Sequence, residues 1–204
     1  MSSVDITVVA NAEEAARLVA ERLAEQARAG GSIVLTGGST PRHAYELAAR
    51  LEPDWSRAEL WWGDERCVPP EDENSNYGTA KTALLDRLER ELAGVGAFDL
   101  VLLGLGPDGH IASLFPGFPT LDVTDRGAIG SEAGHEPFVD RISLTLPRLC
   151  ATRELLFLVA GDDKADAVAR ALAGEPSRKT PGSLARAADG ATRAVLDRAA
   201  ATKL

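Results

Sequence analysis

The residues best suited to chemistry are Asp108 and His110, two positions apart at the end of Gly104-Leu105-Gly106-Pro107-Asp108-Gly109-His110. A histidine at a strand terminus, beside a carboxylate that can fix its tautomer, is suited to general base work. The turn also spells G-x-G-x-x-G, the pattern of a dinucleotide-binding loop. Pro116 and Pro119 leave little room for the crossover helix that loop requires, and no strand ending in an acidic residue follows about 20 residues on. The dinucleotide reading is rejected.

A second segment, Thr36-Gly37-Gly38-Ser39-Thr40-Pro41, lies between an apolar run and a helical pattern. Its glycines let backbone approach a ligand, Ser39 and Thr40 supply hydroxyls, and a helix N-terminus presents free N–H groups to an anion. The same residues would also serve as a plain turn, with Thr40 as N-cap and Pro41 at the first helical position. No Gly-Lys-Ser/Thr follows, so this is not a Walker A loop.

A third segment, Gly63-Asp64-Glu65-Arg66-Cys67-Val68-Pro69, places Asp64 and Arg66 either at the crevice of His110 or in a solvated loop; residues 72–76 after it could cap the next helix. Arg141 and Lys164 are the kind of group that neutralises a phosphate. His43 and His135 have no partner spacing and read as structural or exposed. No H-E-x-x-H and no Cys/His cluster is present, so no metal site is expected. The absence of G-x-S-x-G weakens a serine hydrolase.

The elements that must position these residues alternate strand and helix. Strands are read at 6–9, 32–35, 60–62, 100–103, 141–144 and 155–159. Asn11 reads as an N-cap, with Glu14 completing a capping box before the stripe Ala16, Val19, Leu23, Ala27, which Gly30 and Gly31 end. A helix from Pro41, one carrying Ala80, Leu84, Leu88 and Leu92, and one over 164–172 complete the pattern. The run 100–103 has no alternation and should be buried on both faces. The expected fold is a single α/β domain, 1–204, with a mostly parallel, doubly wound Rossmann-like sheet and helices on both faces. In such sheets ligands bind beyond the carboxyl ends of the strands, where the polar, glycine-rich segments fall. Residues 116–137 have little periodicity and read as a lid or a surface loop.

Composition limits the partners. With 22 Lys+Arg against 31 Asp+Glu the net charge is −9, which disfavours nucleic acid and anionic membranes. No apolar run approaches the roughly 20 residues of a membrane span, and no signal peptide is visible. Cys67 and Cys150 have no redox or metal spacing, so a disulfide framework is not expected and the cytosol is.

Together these segments resemble the 6-phosphogluconolactonase family, within the wider glucosamine-6-phosphate deaminase/isomerase superfamily. The resemblance rests on LTGGSTP at 35–41, WWGDERCVP at 61–69, NSNY at 74–77 and FDLVLLGLGPDGHIASLFPG at 98–117. RISLTLP at 141–147 and LFLVAGDDKA at 156–165 extend it along nearly the whole chain. It implies cofactor-free hydrolysis of 6-phospho-D-glucono-1,5-lactone to 6-phosphogluconate, in the oxidative pentose phosphate pathway. The protein would be a monomer or weak homo-oligomer. His110 would be the base, with Asp108 or Asp64 orienting imidazole or water. Arg66 would hold the sugar or the oxyanion, and Gly37, Gly38, Ser39, Thr40, Arg141 and Lys164 the phosphate.

The alternatives are an amino-sugar-phosphate isomerase or deaminase and a non-catalytic phosphosugar sensor. Deaminases of the superfamily carry an acid five residues after the histidine, where this chain has Phe115. Two departures bear on the pocket rim: a shortened 81–97 connection, and Arg193 where relatives often have an aromatic residue.

Overall fold

A computed structural model describes residues 3–52, 54–66, 68, 72, 74–76, 96–132 and 141–204. The helix read over Ala80–Leu92 lies outside the described residues, as do Cys67, Tyr77, His135 and most of 81–97. The aliphatic runs form a parallel sheet from β1 (Val4–Val9), β2 (Gly31–Leu35), β3 (Ala58–Trp62), β5 (Leu100–Leu103), β8 (Glu154–Val159) and β9 (Ala191–Asp197). The order across it is β1-β9-β8-β5-β2-β3. Alternate side chains divide between the faces as a pleated strand requires. Ile33, Leu35, Leu100 and Leu102 pack with α1 (Ala12–Ala29) and α2 (Ser39–Leu51). Val34, Val101 and Leu103 pack on the opposite face, with Leu149 of α3 (Leu146–Cys150) and Val168 of α4 (Ala165–Val168). The run 100–103 is indeed buried on both faces. β2 leads outward to β3 while β5 leads the other way to β8 and β9, so the strand order reverses between β2 and β5.

The first helix begins as its sequence implies. The Asn11 side chain accepts from Glu14 N–H, and the Glu14 carboxylate reaches back to Ala10 N–H (2.9 Å). Gly30, at φ +87°, ends it.

Four expectations are corrected. α2 starts at Ser39 with Gly38 as N-cap, so Thr40 is not the cap and Pro41 lies at the third helical position. Proline costs no hydrogen bond there, because first-turn N–H groups have no intrahelical acceptor. Residues 64–66 are not loop but a strand, β4 (Asp64–Arg66), and Arg141–Leu144 (β7) does not join the parallel sheet. With β6 (Ala128–Ser131) these form a separate antiparallel sheet in the order β4-β7-β6. Gly63 alone separates β3 from β4. Its N–H donates to Leu35 O (2.8 Å) in one sheet and its carbonyl accepts from Leu144 N–H (2.7 Å) in the other. The stretch 116–137 is not a plain loop in its described part, since it holds a 3₁₀ turn (Pro119–Asp122) as well as β6. β9, unread in the sequence, fills the gap between β1 and β8. Polar Thr192, Arg193 and Asp197 dilute its apolar pattern. The last helix opens as a 3₁₀ turn, Asp162–Lys164, and closes in π geometry over Ala169–Ala173.

Candidate active site

A cavity of about 300 Å³ opens beyond the carboxyl ends of β2, β5 and β8, at the reversal of strand order. It is lined by Gly37, Gly38, Ser39, Thr40, Asp64, Arg66, His110, Arg141 and Lys164. Asp108 alone of the residues singled out in the sequence stands behind the lining. Its Oδ1 lies 2.6 Å from His110 Nδ1 and accepts from the His110 N–H (3.1 Å). A carboxylate at Nδ1 holds the proton on that nitrogen of the neutral ring, which leaves the Nε2 lone pair as the basic position.

The turn that carries this pair needs two of its glycines. A side chain on Gly106 would collide with the His110 imidazole, and Gly109 takes φ +93°. Phe115, fully buried, flanks the imidazole with its ring centroid 4.9 Å away. The position five residues after the histidine therefore offers an apolar wall and no proton.

The opposite wall belongs to the small sheet. Arg66 and Arg141 are cross-strand partners in the β4–β7 register. The Arg66 Nη1 donates to Asn74 O (2.7 Å), and its buried Nε has no hydrogen-bond partner among the described residues. Burial, and then the Arg66 charge, push the Arg141 guanidinium below its ordinary value, with Asp64 acting in the other direction. Like charges facing one another on neighbouring strands are unfavourable unless something offsets them, and an anion in the cavity would do so.

Asp64 is 6% exposed and does not touch the imidazole; it accepts from Ser113 Oγ (2.6 Å) and Asn76 Nδ2 (3.2 Å). The open choice between Asp108 and Asp64 as partner of the ring thus falls to Asp108 by distance. Glu65 points elsewhere, accepting from Asn76 N–H (2.8 Å) and Ser75 Oγ (3.2 Å), so residues 75 and 76 brace β4; the helix that 72–76 were expected to cap lies outside the described residues. Lys164 pairs with Asp163 at 3.0 Å on the β8 side of the cavity. On the β2 side, α2 presents the free N–H groups of its first turn, and Gly37 packs so closely on the Asn76 amide that a Cβ would collide.

Ser113, Asn76 and Tyr45 were not singled out as site residues in the sequence. Ser113 is fully buried: its N–H donates to Ser143 Oγ (3.2 Å), its carbonyl accepts from Ser131 Oγ (2.9 Å) and its hydroxyl donates to Asp64. A lone hydroxyl among Ile111, Leu114 and Phe115 was the available signal. His43 sits apart from the cavity, bonded to Glu13 (2.5 Å) between α1 and α2.

A doubly wound sheet whose switch-point cavity joins a carboxylate-held histidine to a cationic wall defines the class: an α/β protein built to act on a small anionic ligand. The family of glucosamine-6-phosphate isomerases/6-phosphogluconolactonase matches residues 7–92 and 86–194, and the chain belongs to that family. It is 39% identical over 235 aligned positions to the 6-phosphogluconolactonase of Streptomyces coelicolor, covering 93% of this chain and 88% of that one. It is 37% identical to the Mycobacterium leprae 6-phosphogluconolactonase, over 87% of each chain. The solved 6-phosphogluconolactonase of Trypanosoma cruzi superposes with a TM-score of 0.84 at 25% identity, over 100% of this chain and 98% of that one.

Proposed function

We propose that this protein hydrolyses 6-phospho-D-glucono-1,5-lactone to 6-phosphogluconate, with His110 as general base. The observation that carries this reading is the Asp108–His110 pair at 2.6 Å, whose imidazole lines one side of a cavity that holds two facing guanidiniums on the other. His110 takes a proton from water as its oxygen bonds to the lactone carbonyl carbon, and Arg66 stabilises the oxyanion that forms. Collapse of that intermediate breaks the bond to the ring oxygen, which receives the proton from the imidazolium; the new carboxyl group then ionises. Asp108 keeps the ring in the required tautomer and stabilises the imidazolium. The loop from Gly37 to Thr40, Arg141 and Lys164 hold the 6-phosphate, which fixes the carbonyl against Nε2. Phe115 disfavours the isomerase or deaminase reading, because ring opening needs a further proton donor where this chain has an apolar ring.

No cofactor enters this scheme. The two core clusters on either face of one sheet support reading 1–204 as one domain. Among the described residues no helix is long and apolar enough to cross a membrane. With a charge of −9, the reading is of a cytoplasmic protein, monomeric or weakly self-associating, that binds neither nucleic acid nor membrane. The deciding experiment follows the decay of freshly made 6-phosphogluconolactone with and without protein, since the lactone also opens spontaneously. Decay no faster than the spontaneous rate would sink the reading.

A further inference from the structure

Tyr45 lies in α2, completely buried and outside the cavity lining. Its hydroxyl makes two bonds to one residue: it donates to the carbonyl of Thr36 (2.7 Å) and accepts from the N–H of Thr36 (3.0 Å). Thr36 is the first residue beyond β2 and lines the cavity. Tyr45 therefore does for Thr36 what a neighbouring strand does along the ladder, one step past the point where β2 ends.

The consequence is geometric. The glycines after Thr36 are soft, with Gly38 at φ +116°, and their backbone would otherwise sample many conformations. The hydroxyl ties the strand end of this loop to α2, the same helix that begins at the loop's other end with Ser39. Both ends of the loop are thus referred to one rigid body. Burial pushes the Tyr45 ionisation upward against the opposing pull of the Thr36 N–H, with the nearby Asp64 charge adding to the rise, so the donor stays protonated.

We infer that Tyr45 is a positioning residue for anion recognition, holding the Thr36–Ser39 backbone in the conformation that grips the substrate phosphate. This rests on the reading above that the loop holds the 6-phosphate. The test compares kcat/KM for 6-phosphogluconolactone and for unphosphorylated gluconolactone, corrected for spontaneous opening, in wild type and Tyr45→Phe. The ratio of the two values cancels any loss of folded protein. It is expected to fall about tenfold, the order of one well-aimed charge-assisted hydrogen bond, and mostly through KM for the phosphorylated lactone. A lowered melting temperature with an unchanged ratio would reduce Tyr45 to a structural role and overturn the inference. A wild type that does not prefer the phosphorylated lactone would instead overturn the phosphate reading of the loop. Hydrogen exchange on wild-type protein supplies a check that needs no variant. Thr36 N–H should exchange as slowly as its strand neighbour Val34, and rapid exchange at Thr36 would also overturn the inference.

Discussion

His110 and Asp108 were legible in the sequence because both lie in one short turn, and local geometry alone could bring them together. The chemistry assigned to them sets a clear expectation. His110→Asn keeps similar volume but cannot cycle a proton, so kcat should fall by about 10²–10⁴-fold with little change in KM. A general base must be neutral, so the wild-type rate should rise with pH across the span from about 5 to 8 where histidines change charge. A flat rate over that span rules out an imidazole base. Lys164→Ala should separate binding from chemistry. Loss of one charge-assisted hydrogen bond, worth roughly 1.5–3 kcal/mol, should lower kcat/KM for the phosphorylated lactone about 10- to 150-fold. The unphosphorylated lactone should suffer far less, and equal losses on both would remove Lys164 from the phosphate site. The shared partner of Ser113 and Asn76, Asp64, was beyond sequence reasoning for a simple reason. The bond from Ser113 to Asp64 spans 49 residues, and nothing local in either segment announces the other.

Among the elements, the parallel strands with unbroken aliphatic runs were readable, and those of the small sheet only in part. β4 has three residues, all charged, and its strand character comes from pairing with β7, not from its own propensity. Of the two readings of these charges, Asp64 and Arg66 meet the cavity one for the same reason, while Glu65 turns to residues 75 and 76. Ser113 is the joint between the two layers, reaching β4, β6 and β7 with three separate bonds. Ser113→Ala leaves the buried Asp64 carboxylate short of a donor, at a cost of about 1.5–3 kcal/mol. For a chain of this size that corresponds to a melting point lower by roughly 3–10 °C. Thermal melts of the variant measure it directly. A melting point within 1–2 °C of wild type, about the resolution of such a scan, would show the joint to be dispensable.

For the molecule as a whole, doubly wound topology explains why distant segments converge: those after β2, β3, β5 and β8 leave the large sheet at one edge, and Arg141 is brought to them by the pairing of β7 with β4. The shared edge was inferable from alternation and glycine placement. The order of strands was not, because β9 returns from the C-terminal part of the chain to lie beside β1. Among the described residues, no group of three His, Cys, Asp or Glu side chains is arranged to hold a metal ion. Activity should therefore survive exhaustive EDTA treatment. Loss on chelation, restored by a divalent ion, would require a different mechanism.

Gly63 has a consequence for how such a protein can diverge. On the proposed roles the base and the phosphate loop belong to one sheet and the guanidinium wall to the other, and Gly63 is the sole residue between them where β3 passes into β4. The proton-moving pair and the guanidinium wall are separate modules with a common border. Substitutions in β7 beside Arg141 can reshape that wall while the Asp108–His110 pair, held within its own turn, stays in register. A change confined to that wall should therefore alter what the cavity accepts and leave the Asp108–His110 contact intact.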